Sequence, residues 1–269
     1  MTSLRPAALS ALLQPDPARK AEQALALSQD MAVDAALALP VPPGIPGRPA
    51  APVLVPHQQL KPRPVHTLQG RATLLHALAH IEFNAINLAC DVLWRFTGLP
   101  EAFYRDWARV AREEALHFQL LSAHLQGLGF AYGMFPAHNG LWEMAEKTQD
   151  DVLARLALVP RTLEARGLDA APPIRAKLIA AGDARAGEIL DIILRDEVGH
   201  VAIGNHWYGW LCGQRGLEPV ATYAELAQRY RAPRLRGPFN LTARRAAGFS
   251  EAELAALQGG VAAASASLQ

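Results

Sequence analysis

Only two cysteines, Cys90 and Cys212, occur in the 269 residues, 122 positions apart and with no C-x-x-C pairing. This excludes a disulfide framework and leaves two reduced, partly buried thiols. No uncharged apolar run reaches the roughly 18 residues that a membrane-spanning helix needs. Nor does any N-terminal stretch show the basic, apolar and small-residue order of a secretory leader, so the expectation is a cytoplasmic protein with no membrane partner. Charge is scarce as well: 19% of residues are charged and the formal net charge is +1, which gives no overall pull towards nucleic acid or anionic lipid. What the chain does have is apolar residues, 51% of the total, enough for one sizeable core with an extension.

Strand signals are few, and helical periodicity dominates. Residues 1–39 are rich in Ala and Leu, with Pro15 and Pro17 separating two short helical candidates. Nine prolines between Pro40 and Pro64 rule out a regular helix there and predict an extended strap over the surface. Long helices are then expected over 68–97, 101–128, about 141–166 with an interruption at Pro160, and about 183–214, with a short helix near 173–181. The fold class is therefore all-α. Residues 65–215 read as a four-helix bundle with a long crossover, 1–64 as short helices plus strap, and 216–269 as a C-terminal extension packing on or near the bundle.

Several apolar stripes contain acids and histidines where more apolar residues belong. In the stripe Phe103, Trp107, Val110, Leu121, Leu125, the gap is filled by Glu114 and His117; in Ile189, Ile193, Gly204, Trp207, Leu211, it is filled by Glu197 and His200. Glu82 sits among Leu75, Leu78, Ile86 and Ala89, and Glu164 follows Val152, Leu156 and Pro160 at four-residue steps. The pattern repeats. Glu82 precedes Glu114 by 32 residues and Glu164 precedes Glu197 by 33, so each half reads as a helix with one Glu followed by a helix with E-x-x-H.

A buried ionised carboxylate is costly unless it is paired or holds a metal. Four carboxylates and two imidazoles, with no thiolate, suit two iron ions, or one manganese and one iron, better than structural zinc. Glu113 and Asp196 precede the ligand glutamates and are candidates to hydrogen-bond a metal-bound imidazole from outside the ligand set. His76, His80 and His138 read as packing, surface or loop histidines, and Asp91 as a local cap or pairing partner.

The segments HALAHIEFNAINLACD, YRDWARVAREEALHF, AHNGLWEMAEKT, LALVPRTLEARGLD and ILRDEVGHVAIGNHW resemble the ferritin-like proteins grouped as domain-of-unknown-function family 455, over about residues 45–255. The resemblance implies a di-iron carboxylate fold whose ligands are Glu82, Glu114, His117, Glu164, Glu197 and His200. In wider kin, which include ferritins, ribonucleotide reductase small subunits, multicomponent monooxygenases and a tRNA hydroxylase, such sites react with O₂. The expected function is an O₂- or peroxide-dependent oxidoreductase acting on a small-molecule substrate, with Glu82, Glu114, Glu164 and Glu197 at the reacting centre. Two alternatives are iron binding and oxidation without an organic substrate, and a structural or binding bundle. Between Arg229 and Arg245 six arginines (229, 231, 234, 236, 244, 245) occur with no acid, a run that could grip the phosphates of an RNA or nucleotide.

Overall fold

The computed structural model describes residues 3–266 and contains helices and no strand among them. Its helices are α1 (Leu4–Leu13), α2 (Pro17–Leu25), α3 (Leu68–Arg95), α4 (Glu101–Gly127), α5 (Gly140–Lys147), α6 (Val152–Leu158), α7 (Ala165–Ala180), α8 (Ala184–Gln214), α9 (Pro219–Arg229), α10 (Leu241–Ala246) and α11 (Glu251–Ala266). A π-helical segment, Val159–Glu164, links α6 to α7. No helix among the described residues is long and apolar enough to cross a membrane. The chain divides into two compact units, residues 1–143 with 175–192, and residues 144–174 with 193–269.

In the first unit α3 is the central element. Thr67 caps its start by accepting from Gly70 N, and from Phe83 to Trp94 every side chain is buried, as expected of a helix covered on all sides. α1 packs on α3, α2 packs on α4, and α3 pairs with α4 along their lengths. α4 ends where Gly129 takes a φ of +82° and Phe130 N reaches back to Leu125 O, a turn that a residue with a Cβ adopts only under strain. Residues 40–64 hold little regular structure, with a 3-10 turn at His57–Gln59 and one bridge from Leu54 to Ala137.

Two buried cations fasten the N-terminal helices. Arg5 donates from Nε to Leu93 O (3.1 Å) and from Nη2 to Trp94 O (2.8 Å), so it satisfies carbonyls that the last turn of α3 leaves without helical partners. Its Nη1 donates to Asp34 O (2.9 Å) and to Leu37 O. Lys20 donates to Leu12 O (3.0 Å), Gly47 O (2.9 Å) and Asn87 Oδ1, joining α1, the strap and α3. Gly47 is required at that point, because a Cβ there would collide with Leu13 O.

In the second unit the helical path differs from the sequence expectation. The break falls at 148–151, where Asp151 caps α6 by accepting from Leu153 N, and not at Pro160. At Pro160 the helix widens instead of stopping. Proline has no N–H to give and its ring crowds the preceding turn, and the Thr162 hydroxyl donates to Ala157 O, five residues back. Gly204 of α8 lies against the Pro160 ring, where a Cβ would sit 2.7 Å from Pro160 Cβ. α7 then continues through Pro172 and Pro173, although the sequence suggests a separate short helix from 173.

Arg5→Ala removes four hydrogen bonds from a charged donor and leaves the Leu93 and Trp94 carbonyls buried. We expect the variant to lose about 3 kcal/mol or more of stability, read as a lower urea midpoint with an unchanged slope.

Candidate metal centre

Within the first unit, α3 supplies Glu82, and α4 supplies Glu114 and His117 one turn apart on a single face. All three are buried, His117 and Glu114 fully. Each offers one ligand atom, and these atoms lie within 4.8 Å of one another. His117 Nδ1 stands 3.3 Å from Glu82 Oε2 and 3.4 Å from Glu114 Oε2, so the imidazole turns that nitrogen towards both carboxylates. Burial, and then the charge of Glu114, hold the Glu82 carboxyl well above the ordinary carboxylate range, against the opposing pull of His117.

The second unit carries the other three expected residues. Glu197 and His200 are buried on α8, with His200 Nδ1 3.7 Å from Glu197 Oε1. The two E-x-x-H motifs thus repeat their geometry: in each, the histidine presents Nδ1 to the glutamate three residues before it. Glu164 closes the π segment and is half-buried, less enclosed than its apolar stripe suggests.

The neighbouring acids are half-buried. Glu113 lies 3.3 Å from Arg109, and Asp196 accepts from Arg195 at 2.8 and 3.1 Å. Asp91 pairs locally with Arg95 at 2.6 Å, as its position suggests. His80 is a packing histidine: its ring lies between Tyr132 Oη (2.9 Å) and His138 O (3.0 Å), and burial pushes its pKa down to about 4. His76 Nε2 accepts from Gly133 N at 2.9 Å, and burial lowers its pKa to about 4 as well. His138 accepts from Gly140 N at 3.2 Å. Cys90 and Cys212 are both free and fully buried, and burial pushes the Cys90 thiol up to about 12.

Of the six arginines between 229 and 245, Arg244 is buried and bonded to Asp169 Oδ2 at 2.6 Å, and Arg245 pairs with Glu251 at 2.6 Å. Their acids lie outside the run, which is why the run itself shows no partner. Arg229, Arg231, Arg234 and Arg236 are exposed. Several buried cations are missing from the sequence reading, among them Arg5, Lys20, Arg155 and Arg161, the last with its guanidinium enclosed by the rings of Tyr208, Tyr223 and Phe249. The signal for the last two was a pair of charges, Arg155 and Arg161, inside the apolar stretch LARLALVPRTL.

The raised Glu82 pKa fixes a sign. A carboxyl that holds its proton more tightly folded than unfolded contributes stability below the ordinary carboxylate range, and that contribution is lost as pH rises towards the folded value. Chelator-treated protein should therefore lose urea stability between pH 5 and pH 8. Glu82→Gln should flatten that slope and be more stable than the parent at pH 8 by about 1–3 kcal/mol, the scale of relieving a buried uncompensated group. A variant with the same slope as the parent would show that Glu82 does not carry the linkage.

A family model described as "Protein of unknown function (DUF455)" matches residues 13–255. The chain is 51% identical over 213 residues to an "Uncharacterized protein" of Haemophilus influenzae, covering 77% of this chain and 74% of that relative. No solved structure matches. With most of its length matched, the chain belongs to the family described as DUF455.

Proposed function

We propose that the chain is a di-iron, or manganese–iron, carboxylate protein of the ferritin-like four-helix-bundle type, working as an O₂- or peroxide-dependent oxidoreductase on a small-molecule substrate. The observation that carries the reading is the duplicated E-x-x-H geometry, each histidine Nδ1 turned to its own buried glutamate. It is supported by the buried group Glu82, Glu114 and His117, whose ligand atoms lie within 4.8 Å of one another. The donor chemistry fits: oxygen-rich ligands with imidazole and no thiolate suit iron and manganese.

Iron held there would supply the electrons that reduce O₂ or peroxide. Glu82, Glu114 and His117 of the first unit would be metal ligands, as would Glu164, Glu197 and His200 of the second. The four carboxylates match the charge that the metals bring, and the surrounding apolar side chains keep water away. Glu164 differs from the other acids because it is half-buried and ends a widened helical turn. It is the carboxylate we assign to rearrangement during turnover. Glu113 and Asp196 are assigned the orientation of the imidazoles.

Protein loaded anaerobically with Fe(II) and desalted should retain two ions per chain by elemental analysis and change its absorption spectrum on exposure to O₂. His117→Ala and His200→Ala should each lower the metal content towards one ion and abolish that change. Asp196→Asn should keep both ions but slow the reaction with O₂ by about tenfold or more, the scale of losses outside the ligand set. Iron accumulating far beyond two per chain would favour storage over oxygen chemistry, and absence of bound metal would overturn the site.

A further inference from the structure

The second unit contains a cavity of about 370 Å³ that the metal reading does not use. Its apolar wall is built by α9, which supplies Val220, Ala224 and Ala227, by Leu235 in the segment that follows, and by Ala256 and Leu257 of α11. Side-chain size leaves the space: half of these residues are alanines, and a methyl group reaches only a short way from its helix. At the roughly 30 Å³ that a molecule of liquid water occupies, the cavity has room for about a dozen non-hydrogen atoms. That is the scale of a small molecule, at the lower end of the range of ligand sites.

Five polar residues reach the lining, Arg161, Tyr223, Arg234, Arg244 and Glu253, and their bonds decide what the cavity recognises. Arg161 donates from Nε to Asn205 Oδ1 at 2.6 Å and from Nη2 to Glu253, while its Nη1 is closed to solvent. Glu253 Oε2 accepts from the Ser250 amide and hydroxyl, both at 2.8 Å. Arg244 donates to the two Asp169 oxygens at 3.1 and 2.6 Å and to Ala165 O at 3.2 Å. Tyr223 Oη and Thr162 Oγ1 share a hydrogen bond of 2.9 Å, and Arg234 is engaged as well. A ligand that needed a hydrogen bond from this lining would have to displace one of these partners, and a polar group buried without a partner loses its hydration uncompensated. Apolar contact carries no such requirement.

We infer that this cavity binds an uncharged, mainly hydrocarbon small molecule, held by its apolar surface against α9 and α11 without directional polar recognition. Ala224, Pro233 and Ala256 of the lining are exposed, so the cavity opens to solvent, and a terminal hydroxyl of the ligand keeps its water there. The site does not depend on the metal reading, because every residue in it lies in the second unit and none is an expected metal ligand.

The test is isothermal titration calorimetry of the full chain with 1-decanol, 1-hexanol, 1,10-decanediol and decanoate. Decanol should bind saturably at one per chain. Hexanol, shorter by four methylene groups, should bind about a hundredfold more weakly, the fold-change expected of that much lost apolar burial. The diol carries a second hydroxyl into the apolar interior, where the lining groups are already engaged, and should bind at least about tenfold more weakly than decanol. Decanoate should gain nothing over decanol, since the guanidinium groups already have partners. Ala227→Trp fills the wall and should abolish decanol binding; should its thermal melt show it unfolded, Ala224→Trp, at an exposed position of the same helix, takes its place. No saturable decanol binding, hexanol or diol as tight as decanol, decanoate tighter than decanol, or full decanol binding by a folded tryptophan variant would each overturn the proposal.

Discussion

Carboxylates cannot be buried side by side without compensation, and the pairing of α3 with α4 is arranged around that constraint. Glu82 and Glu114 face each other across the helix pair with His117 between them. The apolar residues that flank them, Phe83, Trp107, Val110, Phe118 and Leu121, are all buried. Among these neighbours Glu114 is fully buried and Glu82 nearly so, and buried carboxylates this close are stabilised by sharing protons or by holding a cation. The high Glu82 pKa expresses the same conflict in the metal-free chain.

The stripes of Glu114 with His117, and of Glu197 with His200, were legible because a helix repeats its faces every three to four residues, and a polar residue at an apolar position stands out. Asp16, Thr67 and Asp151, which cap α2, α3 and α6, form no part of that pattern and were not singled out by it. The π segment was not legible. Proline predicts a missing hydrogen bond at position 160, but whether the chain then breaks or widens depends on Thr162 reaching Ala157 and on Gly204 leaving room across from the ring. Both are tertiary facts. The same holds for Arg244, whose partner Asp169 is 75 residues away and invisible to any local pattern.

Arg161 and Glu164 share the widened turn, three residues apart. A widened turn has fewer regular helical hydrogen bonds to lose when it shifts, which is one reason such turns occur at functional sites. Here the turn is nonetheless fixed at one end: Arg161 is bonded to Asn205 and Glu253, and Asn205 in turn donates to Ala247 O at 2.6 Å. The segment is therefore anchored at its arginine and leaves its glutamate half-exposed.

The strap holds almost no regular structure, yet it is ordered through Lys20 at Gly47, through Arg48 to Asn139 at 2.8 Å, and through Leu54 at Ala137. Such fastenings, with Gly47 N donating to Leu12 O at 2.8 Å beside them, hold only some of its residues, and each residue brought to a fixed conformation gives up backbone freedom. Its nine prolines change the comparison at the other end of the equilibrium. Each restricts φ before folding begins, so the unfolded strap already samples a narrow, extended ensemble and has less disorder to surrender. A few well-placed hydrogen bonds then suffice to hold a segment that a glycine- and serine-rich chain of the same length would leave loose.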